Sequence, residues 1–212
     1  MTTLAVLKAQ IADDIARPDL TSQISAAIVQ AIDFYKEERL FFTDTRDETF
    51  ATVADQSTYD VDDDAAIPLF IKVDAMFIED SDGISYGPLD RLDQKVMERL
   101  LDSSAATGRP ESWSYFNQQF FFHPIPDDAY TVRPIGQIEV VAPDTDIVTG
   151  NLWMTRGFEL IRCAAKANLY VHTIKEDGPA AVFAISAERQ LGMLRRDTSK
   201  RTSTGRIVPT SF

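Results

Sequence analysis

The chain of 212 residues is long enough for one generous domain or two small ones, with a core that needs no covalent staple. Its formal net charge of -12 opposes general nucleic-acid binding, which relies on cationic side chains displacing counterions from phosphates. The single cysteine, Cys163, excludes an intrachain disulfide and a zinc site built on paired cysteines, and fits a reducing compartment.

The opening MTTLAVLKAQIADDIAR places acidic residues inside its apolar pattern, and the chain has no apolar run of about 18 residues, so neither a secreted precursor nor a membrane protein is expected. Leu4, Leu7, Ile11 and Ile15 recur at helical spacing behind a Thr2 or Thr3 cap, and Arg17-Pro18 stops the run, because proline disfavours α geometry in the residue before it. A second helix follows at once. Asp19 or Thr21 caps it, and Ile24, Ala27, Ile28, Ala31, Phe34 and Tyr35 form its apolar stripe.

From about Leu40 to Pro143 the period falls toward two. FFTDTRDETFATV, LFIKVDAMFIE, SWSYF, QFFFHP and AYTVRPIGQIEVV are rich in aromatic and β-branched residues, with turn clusters between them. One helix interrupts these strands at LDRLDQKVMERLLD, where Leu92, Val96 and Leu100 repeat behind an Asp90 cap. Residues 153–174 then read as a central helix, apolar nearly all round except for Glu159, Arg162 and Lys166. Asp177-Gly178-Pro179 restarts a fourth helix, with Phe183, Ala187, Leu191 and Leu194 as its buried stripe. The expected class is α+β: a four-helix bundle made from N- and C-terminal helix pairs, a β-rich insert between them and an extended C-terminal tail. The bounds are 1–40, 41–145, 146–197 and 198–212.

Chemistry-bearing patterns are sparse. Asp60, Asp62 and Asp64 alternate as in a calcium loop, yet Ala65 stands where the turn needs glycine and Ile71 where a bidentate carboxylate belongs, so a solvated acidic loop is expected. EDSDGIS reads as a hairpin, with Asp82-Gly83 at positive φ. His123 sits at a strand end and His172 in a buried helix, and nothing beside Cys163 lowers its pKa. Nucleotide-binding glycine loops and HExxH are missing. No catalytic, metal or cofactor-binding residue is assigned, and an enzyme is not expected. The aromatics of SWSYFNQQFFFHPIP belong mostly to a small β core, with Trp113, Tyr115 and Phe121 as candidates for a subunit or tail interface.

Several segments together resemble a known family. They are LKAQIADDIARPDLTSQISAAIVQAIDFYKEERLFF, YGPLDRL, GRPESWSYFNQQFFFHPIPDDAYTV, NLWMTRGFELIRCAAKANLYVHTI and RQLGMLRRDTSKRTSTGRIVPTSF. In order and content they are similar to the head-to-tail adaptor (connector) proteins of tailed bacteriophages. Gly157, early in the third helix, departs from what a helix prefers. The resemblance implies a non-enzymatic virion protein in the neck between capsid and tail, assembled in the host cytoplasm. Its partners would be the portal protein, a tail nozzle or tail-tube protein, and copies of itself in a dodecameric ring through which DNA passes without specific binding. A carbohydrate-binding or cell-wall-active hydrolytic phage protein is the alternative. By position, the portal-contacting arm falls on Lys200, Arg201, Arg206, Ile207, Val208 and Phe212.

That arm belongs to a basic ending. From Arg195 onward the chain carries +4, and the 194 residues before it carry -16. Burying Ile207, Val208 and Phe212 does not offset the conformational entropy of ordering an extended tail, so a partner groove is expected to give it shape. Mutual repulsion between acidic copies is expected to keep them apart until a portal templates the ring.

Overall fold

The computed structural model describes residues 2–103 and 106–202. The chain forms two compact units, Met1–Thr43 with Val140–Phe212, and Asp44–Glu139. The class is mixed α+β, with six α-helices and two sheets among the described residues.

The first unit is helical. Helix α1, Leu4–Asp14, starts where the Thr3 hydroxyl accepts from the Val6 N–H, and it buries Leu4, Leu7 and Ile11. Helix α2, Thr21–Tyr35, has no side-chain N-cap and buries Ile24, Ala27, Ile28, Ala31, Ile32 and Tyr35. Phe34 leaves the predicted stripe: Ile32 takes its place inside, and Phe34 is 76% exposed.

The central helix is broken where one continuous run was expected. A short helix α4, Leu152–Thr155, is capped by Asn151, whose Oδ1 accepts from the Trp153 N–H. Gly157 then forms the N-cap of α5, Phe158–Leu169. A Cβ there would lie 2.7 Å from the Trp153 ring, so glycine is required by the close approach of the indole. The apparent departure at Gly157 is thus a packing requirement. A π-helical turn, Tyr170–Ile174, ends the run with Lys175 in the left-handed region. It carries His172 on its exposed surface, where a buried histidine was expected.

Helix α5 packs against α1, α2 and the last helix, α6, Asp177–Thr202. Pro179 sits in the first turn of α6, where its missing N–H costs no bond. The helix runs through Thr202, which corrects the expectation of an extended tail from residue 198. Neither proline nor glycine interrupts Thr198–Thr202, and the Thr202 hydroxyl donates back to the Thr198 carbonyl at 2.9 Å. Across the α1–α5 contact, Asp14 receives Arg162 through two bonds of 2.8 and 2.9 Å and Lys166 at 2.9 Å. Lys166 was expected on a polar stripe; it is only 7% exposed and lies 4.2 Å from the Phe183 ring centre.

The second unit is two sheets. In the first, β9 (Thr131–Ile138) pairs antiparallel with β1 (Asp44–Thr45), β2 (Phe50–Ala51) and β4 (Phe70–Glu79), and β4 pairs with β5 (Ser85–Tyr86). In the second, β8 (Gln119–His123) lies between β3 (Thr58–Tyr59) and β7 (Ser112–Phe116), and β6 (Asp90–Arg91) runs parallel to β7. Asn117 and Gln118 take φ of 51° and 63°, the left-handed pair that a two-residue hairpin demands. Helix α3, Gln94–Ser103, packs on β7 and β8 and buries Met97, not the predicted Val96. Its start is held by Asp93, whose Oδ1 accepts from the Lys95 N–H, while Asp90 belongs to β6.

Candidate functional site

The C-terminal end of α6 is latched to the segment that follows α2. Arg195 binds the Glu38 carboxylate through two nitrogens, and Glu38 raises the affinity of that guanidinium for its proton. The Phe41 N–H donates to the Thr198 hydroxyl at 2.9 Å, and that hydroxyl donates to the Leu194 carbonyl at 2.8 Å. The Arg201 guanidinium lies 4.0 Å from the Phe41 ring centre. Of the residues assigned to the portal arm, Lys200 and Arg201 therefore stand on a helix rather than an extended strand. Lys200 projects toward solvent, 3.8 Å from Asp197. Arg206, Ile207, Val208 and Phe212 lie outside the described residues.

The aromatic hairpin divides by face. Trp113 pairs with Phe122 and Tyr115 with Phe120, so alternation turns all four toward one side. There they join Phe50, Tyr59, Phe70 and Met76 in the core of the β unit. Trp113 is fully buried, its indole N–H donating to the Leu89 carbonyl, so within this chain its ring serves the core. Tyr115 is half-buried; its hydroxyl donates to the Phe70 carbonyl at 3.0 Å and accepts from the Phe70 N–H, and burial pushes its pKa up. Phe121 points to the opposite face and remains half-buried. That face also holds Ser114, which donates to Gln94 of α3 at 2.7 Å.

The other motifs have local roles. Asp60 accepts from the Asp62 N–H at 2.9 Å and from the Gln119 amide at 2.8 Å, bonds that lower its pKa and close the acidic turn. In the next hairpin, Asp80 accepts from the Asp82 and Ile84 N–H groups; only Gly83, not Asp82, has positive φ. Cys163 is buried in α5, and burial pushes its thiol pKa up.

A surface that sequence reasoning missed lies in the helical unit. Between α2 and α6 a groove of 560 Å³ opens, floored by Ala164 and Ala167 of α5 and walled by Phe34 and Ile185. Ile185 is 71% exposed. The signal was present as the apolar girth of residues 153–174, which exceeds what one buried face needs.

Charge is as unevenly shared as apolar surface. Residues 44–139 hold 20 of the 33 acidic side chains and 7 of the 21 basic ones, a formal balance of -13. Residues 1–43 and 140–212 hold the other 13 acidic and 14 basic side chains, a balance of +1. The acidity read from the whole chain is thus a property of the β unit alone. Among the described residues no helix is long and apolar enough to cross a membrane.

No curated protein matches the chain. The sequence model of the family described as SU10 adaptor protein matches residues 2–209, nearly the whole length. The resemblance to phage head-to-tail adaptors thus holds across both units, and the chain belongs to the SU10 adaptor protein family.

Proposed function

We propose that this protein is a non-enzymatic head-to-tail adaptor that binds the portal and forms a ring joining capsid to tail. The family match over residues 2–209 carries this reading. The ring, dodecameric in this account, sits in the virion neck, with the terminal helix pairs acting as one four-helix body and the tail nozzle or tube protein docking below. The arm beginning at Lys200 contacts the portal, and the basic end of α6 delivers it there. An acidic β unit suits a passage for DNA, since a negative wall releases no counterions from phosphates and does not hold the duplex.

The test is co-sedimentation of the purified chain with assembled portal rings. Intact protein is expected in the pellet, and protein lacking residues 200–212 in the supernatant. Failure of the intact chain to co-sediment, or equal binding by the truncated one, overturns the reading.

A further inference from the structure

We propose that the groove between α2 and α6 seats a second copy of this chain, and that the element entering it is the Ile147–Val148 loop of that copy. The inference rests on the reading of the protein as a ring-forming adaptor and names the surface through which copies meet. The groove itself is built for an apolar insert. Its floor is alanine, which leaves depth, and its walls are Phe34 and Ile185, large side chains on helix faces where solvent favours polar ones.

Charge selects the occupant. A second β unit, at -13, is repelled by its like, and the place where two copies approach with the least net repulsion is the helical unit, at +1. That same unit carries a matching apolar projection. Ile147, 82% exposed, is followed by Val148, which is also exposed, as is Val141 earlier in the same connection. The loop is held rather than loose: Asp146 pairs with Lys8 and its carbonyl accepts from the Ala5 N–H at 3.2 Å, while the Asn151 amide donates to the Val141 carbonyl at 3.0 Å. An anchored projection loses little freedom on docking.

None of the groove's lining residues belongs to this loop, so projection and groove are different surfaces. Contacts between unlike surfaces run head to tail, and each added copy offers a free groove and a free loop to the next. Groove against groove would leave Ile147 in water.

The experiment is cysteine cross-linking of the full chain in a Cys163→Ala background. Ile147→Cys and Glu188→Cys, the latter at the groove rim, are combined and treated with a short bismaleimide, free in solution and on portal rings. Products extending to trimers and beyond are expected from the pair and not from either cysteine alone. Ile185→Asp, at an exposed position that spares the fold, is expected to reduce their yield at least ~10-fold. Dimers from Glu188→Cys alone, products that stop at the dimer, or no product in either setting overturn the proposal. Cross-links in free solution with no portal co-sedimentation uphold this surface while rejecting the adaptor reading. Portal binding without cross-links does the reverse.

Discussion

The Trp153 indole N–H donates to the Val140 carbonyl at 2.6 Å, and the same ring meets Phe42 edge-on with centroids 5.2 Å apart. One buried side chain thereby ties together the two points at which the chain leaves and re-enters the helical unit. Trp153→Phe keeps most of the ring but strands a buried carbonyl, and is expected to lower unfolding free energy by about 1–3 kcal/mol. Trp153→Ala empties the site and is expected to cost about 3–5 kcal/mol. Urea titration followed by circular dichroism measures both. A Trp153→Phe variant as stable as the parent would remove the hydrogen bond from this account.

Asp14 joins α1 to α5 through Arg162 and Lys166, and the Arg162 hydrogen bond is the largest cause of its lowered pKa, against an opposing desolvation. A carboxyl whose folded pKa is depressed contributes stability that is fully present above its unfolded pKa and is lost as pH falls through the folded one. The helical unit is therefore expected to lose stability below the ordinary carboxylate range near pH 4. Asp14→Asn leaves Lys166 buried without its counter-charge and is expected to cost about 1–3 kcal/mol at neutral pH, less than for a fully enclosed pair because Asp14 keeps some solvent. The variant's stability is also expected to fall less steeply between pH 5 and about pH 3. Parallel acid titrations with unchanged slopes would reject the clamp.

Much of this fold was legible from periodicity. The helices over Leu4, Ile24 and Phe158, the restart at Pro179 and the Asn117-Gln118 hairpin all follow from local rules. What local rules miss is what lies opposite. Gly157 reads as a poor helix residue until Trp153 is seen against it, and α3 turns on Met97 because the sheet beneath selects that face. The hairpin aromatics were read as core and interface together. Alternation separates Trp113 and Tyr115 from Phe121, but Phe116 and Phe121 interrupt the polar face of Ser112, Ser114, Gln119 and His123, and sequence does not say what covers them. The groove was hidden for the same reason, since Phe34 looks alike in a stripe whether its own chain covers it or not. Lys200 and Arg201 were assigned to an extended arm by their position in the resemblance, whereas Thr198 and Thr202 here bond back to their own helix and carry it past them.

Cys163 offers a direct probe of how tightly α5 is enclosed. Burial both shields the thiol and disfavours the thiolate, which is the reactive species. Modification by a thiol reagent at pH 8 is expected to be at least ~100-fold slower in the native protein than in denaturant, following the free energy of the opening that exposes it. Reaction at the rate of a free thiol would place Cys163 on an accessible surface.

Gly136 on β9 lies between β1 and β4, and a Cβ there would sit 2.2 Å from the Lys72 carbonyl oxygen and 2.9 Å from the Val73 Cα. Both neighbours are backbone, so nothing rotates away. Gly136→Ala is expected to destabilise the β unit by about 1–3 kcal/mol, the cost of overpacking a close-packed interior. Gly192 on α6 is the control: its added Cβ meets nothing within 4 Å, and Gly192→Ala is expected to gain up to about 1 kcal/mol from helix propensity. Thermal unfolding of the two variants is expected to shift in opposite directions.

The concentration of charge in the β unit gives salt opposite effects on two associations. Between copies, -13 on each β unit opposes approach, and ions screen that repulsion with a reach of about 10 Å at 0.1 M and about 3 Å at 1 M. Self-association through the near-neutral helical units is therefore expected to strengthen as salt rises from about 0.05 to about 0.5 M. Sedimentation velocity across that series measures it. A basic patch on duplex DNA behaves in the reverse way, because salt competes for the counterions whose release drives binding. The +1 helical unit has cations at the end of α6, but Arg195 is paired with Glu38, Lys200 lies beside Asp197, and the chain as a whole carries -12, so retention of duplex DNA is expected to be negligible even at low salt. A mobility shift that disappears with salt would show that the end of α6 grips the duplex. Self-association that weakens with salt would mean that copies meet through paired charges rather than an apolar face.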